Sequence, residues 1–553
     1  MALNKAIGTF NVPTSGGTVS VSGLGFRPDL VLLLGGYMQG SAQNGIRSGD
    51  AVHHFGAFTD TYQMCVGISS ADGVDLVRES RSHYDNRCLH FCDADDHTST
   101  HLSCEFSSMD TGGFTLQINT NPSTAEPIYY LAIGGLAGVE IGHWDSINTT
   151  GSQQINYSDS SLDPELIFFV STKMRDFQMP GSQNGGHLSL SAATSSSTEF
   201  VDVLSMSDGV GKTYANSVSY DGKMWSHSNY GETETEPVAA LTAMAQGSFT
   251  INYSAVDASY DYACMYIAIE GVTAEIADHD EPVSDGTLDA TFSFTPEFVI
   301  AISAGKVDSE TITVDARHSI GWSDGTNHRC LSYAEDDDNG VSSVRKSMRS
   351  DACVALHDSA GTNLGYADAT MGSNKATMDW SSTDGTRREV KLIAIKESGT
   401  TTPSHVETVD VTGATGMAAS ETYYNPGAPA TAPTGGPDMD ESAPTVAGIL
   451  EDDIDAIRDN AAWLMSAAAG QGYILPGWNT TVDGGDKQKP DSITMVSGSL
   501  RMRWRFTWSG AGNLIGQVWE YDRGFGDDWV TLNDGTAVLS YDASNNFTGA
   551  TTS

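Results

Sequence analysis

Cationic side chains are scarce. The chain has 553 residues, with 28 Lys plus Arg against 71 Asp plus Glu and a formal net charge of −43. That balance excludes a broad phosphate-binding surface, so no nucleic-acid partner is expected. It suits a protein that stays soluble in a saline setting or a crowded assembly. Long apolar runs are also missing. The longest, such as Leu30 to Leu34, fall far short of the ~20 residues that cross a bilayer, so no membrane insertion is expected. Met1-Ala2-Leu3-Asn4-Lys5 shows no charged leader followed by an apolar stretch. No secretory signal is therefore expected, and synthesis in a cytoplasm is. Cysteine is limited to 7 residues. The odd count, with no spacing shared between segments, argues against a disulfide framework and for reduced, buried thiols.

What is present is a phrase written three times. The first copy opens with Gly25-Phe26-Arg27-Pro28-Asp29-Leu30-Val31-Leu32-Leu33 and closes with Tyr130-Leu131-Ala132-Ile133-Gly134. The second runs from Leu162-Asp163-Pro164-Glu165-Leu166-Ile167-Phe168-Phe169 to Tyr266-Ile267-Ala268-Ile269-Glu270. The third runs from Phe294-Thr295-Pro296-Glu297-Phe298-Val299-Ile300 to Leu392-Ile393-Ala394-Ile395-Lys396. A period of roughly 130 residues means tandem domains and not a short-repeat solenoid. Triplication with little shared polar chemistry points to a protein that spans distance and presents surface.

Within each copy, Leu30–Leu34, Leu166–Val170 and Phe298–Ile302 are continuous apolar runs, as in strands buried on both faces. Between opening and closing strands the pattern alternates, with turns at Ala71-Asp72-Gly73, Ser207-Asp208-Gly209 and Asp338-Asn339-Gly340. With 58 Gly and no long helical period, this predicts antiparallel β-sandwiches over 1–138, 139–272 and 273–398. A Thr/Pro/Ala/Gly-rich linker is expected over 399–444. A helix is predicted over 445–470, where Ala447, Leu450, Ile454, Ile457, Ala461 and Leu464 alternate three- and four-residue steps. This seam favours a homotrimer, with packing of the helix on its own β-domain as the alternative. A small β-domain is predicted over 471–553. There Arg501, Arg503 and Arg505 alternate with Met502, Trp504 and Phe506, and Glu520 and Asp522 are expected opposite the arginines.

Few motifs suggest chemistry. Gly321-Trp322-Ser323-Asp324-Gly325 matches a nucleophile elbow in letters, but a strand-like segment follows where the elbow needs a helix. Gly209-Val210-Gly211-Lys212-Thr213 has Met206 where a phosphate loop needs its first glycine. Glu335-Asp336-Asp337-Asp338 lacks calcium-loop spacing and reads as an acidic turn. Cys88, His90 and Cys92 would share one strand face and are the candidate zinc ligands, although the spacing matches no standard finger. No residue pair is nominated for catalysis and no cofactor is expected, so the chain reads as a non-enzyme.

The repeated pattern resembles a domain of tailed-phage and prophage structural proteins. The residues carrying it are Gly25-Phe26-Arg27-Pro28, Gly113-Phe114-Thr115-Leu116 and Tyr130 to Gly135. Copy three keeps Arg317-His318-Ser319-Ile320-Gly321, and copy two departs most. Ile454-Asp455-Ala456-Ile457-Arg458-Asp459-Asn460 is similar to a helix near short fibre and tail-appendage proteins. The resemblance implies a virion protein assembled in the host cytoplasm. It would be a tail fibre or tail-associated protein, touching other virion proteins and a host surface glycan or protein. A capsid decoration or head spike is the alternative. A carbohydrate-binding or polysaccharide-degrading protein is the rival from another class.

Overall fold

The computed structural model describes residues 3–38, 43–74, 79–93, 99–175, 183–195, 198–207, 214–228, 235–307, 312–337 and 341–398, and eight strands beyond 402 by their backbone. The protein is mainly β, with only antiparallel pairings and no helix among the described residues. Residues Met1–Thr401 form one compact unit and Thr402–Ser553 another.

The first unit holds three sandwiches. In copy one, a large sheet has the order Asn4–Val12, Glu126–Gly134, Leu30–Gly35, Ala51–Phe58, Gln63–Ser70, Glu79–Tyr84. It packs on a four-stranded sheet of Gly17–Ser22, Gly113–Thr120, Thr100–Asp110 and Leu89–Cys92. Copies two and three repeat this order. Local chemistry explains what repeats. The acid after each proline caps the end of the closing strand. Asp29 Oδ2 accepts the Gly135 and Leu136 N–H groups (2.7 and 3.0 Å), Glu165 Oε2 accepts that of Gly271 (2.9 Å), and Glu297 Oε1 accepts that of Glu397 (3.2 Å). Proline itself lacks an N–H and fixes φ, which sets the chain at the mouth of the opening strand.

The opening strands show why their apolar runs are unbroken. Leu30, Leu32 and Leu34 point one way and Val31 and Leu33 the other, all at 1% exposure or less. Val31 and Leu33 fill the sandwich core of copy one. Leu30, Leu32 and Leu34 join Leu166, Phe168, Val170, Phe298, Ile300 and Ile302 in a single core shared by all three copies. Each large sheet is therefore covered on both faces. Full burial of such side chains contributes about 1.5–3 kcal/mol each.

The three large sheets are also stitched edge to edge. Each ends in a short strand borrowed from the next copy. Gln183–Asn184 of copy two pairs with Glu79–Tyr84 of copy one. Thr313–Val314 of copy three pairs with Ala215–Asp221 of copy two. Ile46–Ser48 of copy one pairs with Val344–Arg349 of copy three. The exchange is cyclic, so the copies form a closed ring with an approximate threefold axis. The borrowed strands cover sheet edges that would otherwise carry unpaired N–H and C=O groups.

Each borrowed arm is bracketed by left-handed residues at matching positions. Tyr37, Lys173 and Gly305 (φ 55°, 56° and 66°) start the arm, and Gly49, Gly185 and Asp315 (φ 102°, 85° and 66°) end it. Glycine takes this conformation freely and aspartate tolerates it, whereas tyrosine and lysine hold it only because the surrounding structure imposes it.

The ring corrects the expectation of reach: three copies laid out in a row would not share one core or close on themselves. The second unit has a six-stranded antiparallel sheet from Asn479–Asp483 to Phe547–Thr552. Its register sets Arg503 opposite Glu520 and Arg501 opposite Asp522, the pairing expected from the alternation. Within the stretch read as linker, Thr408–Val409 pairs with Glu421–Thr422. The predicted helix over 445–470, with Leu450, Ile454, Ile457, Ala461 and Leu464, lies outside the described residues.

Candidate functional site: the axis and seams of the ring

The predicted metal ligands lie inside copy one. Leu89 and Phe91 enter the sandwich core, as the alternation requires, but so does Cys88. Cys88 donates its thiol proton to the Cys104 carbonyl at 3.5 Å. The His90 N–H donates to His54 Nε2 at 3.2 Å, and its ring packs 4.2 Å from that of Tyr84. Burial pushes the Cys88 thiol well above its ordinary value and pulls His90 down to about 4. A zinc thiolate there would form against that burial.

The cysteines do share a spacing, contrary to the reading of the sequence. Cys65 and Cys330 pair with Gly56 and Gly321, which hold the same place in copies one and three. Cys88 and Cys353 follow at the same distance and donate to equivalent carbonyls, of Cys104 and Ala367. All seven thiols are free and buried. Copy two has no cysteine at either place, so the spacing belongs to two of the three copies.

Ser323 lies in a hairpin between Ala316–Ser323 and His328–Glu335. Its Oγ is 2.8 Å from His328 Nδ1, accepts the Gly325 N–H and reaches the Ala369 carbonyl. The side chain is fully buried, and its bonds hold the hairpin turn and tie it to the facing sheet. It braces a turn.

Among the described residues, one trio of possible metal ligands converges: Asp221, Asp278 and Glu389, with ligand atoms within 4.8 Å. A cation of the chain already occupies it. Lys391 Nζ donates to Asp221 Oδ1, Asp278 Oδ1 and Glu389 Oε1 at 2.5, 2.6 and 2.5 Å. Burial pulls this ammonium down, yet the three carboxylate hydrogen bonds outweigh it and hold Lys391 above an ordinary lysine. Asp221 belongs to copy two and the rest to copy three, so the cage clamps that seam.

The seam between copies three and one has no short peptide connector. It carries a dense polar network instead. The Gly73 N–H donates to the Ser342 carbonyl (2.9 Å), the Ser342 N–H to the Val74 carbonyl (3.2 Å) and the Val344 N–H to Asp72 Oδ1 (2.8 Å). Arg329 donates to Thr9 Oγ1 (2.9 Å) and its guanidinium stands 5.4 Å from the Tyr129 ring centroid. Lys5 pairs with Glu297 at 2.9 Å.

At the axis, positions equivalent in the three copies meet: Ser70, Met206 and Glu335. Ser70 Oγ lies 3.3 Å from Glu335 Oε2, and Tyr333 OH is 2.9 Å from Met206 Sδ. One step away His53 Nε2 is 2.8 Å from His318 Nδ1. The sequence alone places Glu335 in an acidic turn. It is buried at 1% exposure and ends a strand, and no local spacing distinguishes it from its neighbours.

On the outside of copy three, Val283 and Leu288 lie exposed beside Asp278, Asp280, Asp289 and Arg387 in an open groove. Tyr62 and Tyr260 are exposed on copies one and two. No membrane-length apolar helix is found among the described residues. Comparison with protein-family models and with curated proteins finds no match.

Proposed function

We propose that this chain is a non-enzymatic structural virion protein of a tailed phage. It would be a tail fibre or tail-associated protein that presents β-sandwiches for host-surface recognition. The observation that carries this reading is the cyclic strand exchange, which joins three sandwiches into one compact unit with a threefold arrangement. Such a body suits an assembly with threefold or sixfold parts, and the resemblance of the repeated motif points the same way. What repeats is scaffold, while the exposed Tyr62, Tyr260, Val283 and Leu288 differ between copies and offer distinct contacts. In this reading the segment 445–470 joins three chains through Leu450, Ile454, Ile457, Ala461 and Leu464. A capsid decoration or head spike is the second reading, because the same threefold arrangement matches a threefold capsid position.

Gold-labelled antibody against the ring, applied to purified particles, is expected to mark tails. Labelled heads would select the second reading, and particles without the protein would overturn both. Incubation with host surface polysaccharide is expected to release no reducing ends; their release would overturn the non-enzymatic reading.

A further inference from the structure

Two carboxylic acids from different copies face each other at the axis. Glu79 of copy one and Glu335 of copy three are each 1% exposed, and the Ser70 hydroxyl lies within hydrogen-bonding distance of both. Ser70 Oγ donates to Glu79 Oε1 at 2.5 Å and also approaches Glu335 Oε2, which accepts the Tyr333 hydroxyl at 2.5 Å. Two ionised carboxylates this close in a buried site repel strongly, so one proton between them is the stable arrangement.

We infer that Glu79 and Glu335 form a proton-operated latch: one shared proton holds the seam between copies three and one closed, and its loss loosens that seam. The geometry sets which seam responds. Copies one and two are joined by Gly135, Leu136 and Ala137, and copies two and three by Gly271, whereas the third seam depends on non-covalent contacts. Repulsion between the two acids therefore acts where nothing covalent resists it. The latch stands on the ring alone, whatever the protein's place in a particle.

The surroundings fit this role. On the Glu335 strand, Tyr333 stays protonated because burial raises its phenol well above the ordinary value, and Asp336 adds negative charge that favours the protonated pair. On the Glu79 strand, Arg81 is directed to the Gly185 carbonyl. From copy two, Met206 and Gly186 pack against the cluster. From the neighbouring strands, His53 and His318 are kept neutral, chiefly by burial, the latter at about 3. Burial likewise pushes Glu335 up to about 7. A carboxyl raised in this way stabilises the fold below its unfolded value, and that contribution is lost as pH rises through about 7.

Native-state hydrogen exchange of the full chain tests this, read at the Gly73, Ser342 and Val344 amides and corrected for intrinsic chemistry. The seam opening constant is expected to rise up to ~tenfold per pH unit between the ordinary carboxyl value of 4.5 and about 7, the slope of one released proton, and to level off above that. The Leu24 amide, which bonds to Gly112 within copy one, is the internal control and should stay level. Glu335→Gln keeps the shape and removes the titration, so its seam profile should be flat. Glu79→Gln should flatten it from the other side. A flat wild-type profile overturns the latch, as does a slope that survives both substitutions. If neither variant folds, the wild-type slope still decides.

Discussion

Arg388→Met is expected to destabilise the third sandwich by about 3–5 kcal/mol, the range for stripping one partner from a buried ion pair. Arg388 is 6% exposed in its side chain, and its guanidinium reaches Glu281 Oε2 at 2.9 Å and both oxygens of Asp384. Glu281 is wholly buried. Without the arginine its charge would have no compensation, while Asp384 at 29% exposure could turn to water. The loss should depend on pH. Burial already pushes the Glu281 carboxyl up to about 7 even with Arg388 beside it. As pH falls through that value, the variant can take up a proton and neutralise the stranded acid. Urea unfolding at about pH 8 and pH 5 checks this, and the deficit should be clearly smaller at the lower pH. An equal deficit at both would mean that lost packing, and not the buried charge, carries the effect.

Gly56→Ala is expected to destabilise copy one by at least ~2 kcal/mol, in the upper part of the range for overpacking. A Cβ at Gly56 would lie 2.0 Å from the Cys88 carbonyl oxygen, which is backbone and cannot turn away. The equivalent Gly321 meets the Cys353 carbonyl at 2.3 Å and should respond alike. Copy two supplies the contrast. It has Ser191 at this place, whose hydroxyl donates to the Met224 carbonyl, so its two sheets already accommodate a side chain. Ser191→Ala should cost only about 1 kcal/mol, the value of one hydrogen bond. Thermal unfolding of the three variants gives the ranking. A mild Gly56→Ala beside a severe Ser191→Ala would refute the equivalence of these positions.

The sandwich was legible because its causes are local. Unbroken apolar runs, alternating segments and turn residues each follow from the pleat and period of a strand. The ring was only half legible. Leu30–Leu34 read as buried on both faces, whereas an ordinary antiparallel sandwich covers only one face of each sheet and leaves polar residues alternating on the other. That surplus of apolar residues was the trace of the shared core. The arms left no such trace, because Ile46–Ser48, Gln183–Asn184 and Thr313–Val314 have no sequence in common and their pairing is made by the backbone, which any residue supplies. The axis cluster was hidden for a related reason. Ser70, Met206 and Glu335 share a position but no chemistry, so each copy shows a different residue where the fold brings them together.

The two ends of the ring converge on Glu297. Lys5, near the start of copy one, pairs with its carboxylate, and the Glu397 N–H, at the end of copy three, donates to the same group. Asp29 and Glu165 do the same work at the two covalent junctions. The seam without a short connector is thus built at a third, equivalent junction. A circular permutant that begins at copy two and ends at copy one, joined through a short peptide beside Glu297, would enclose the same core.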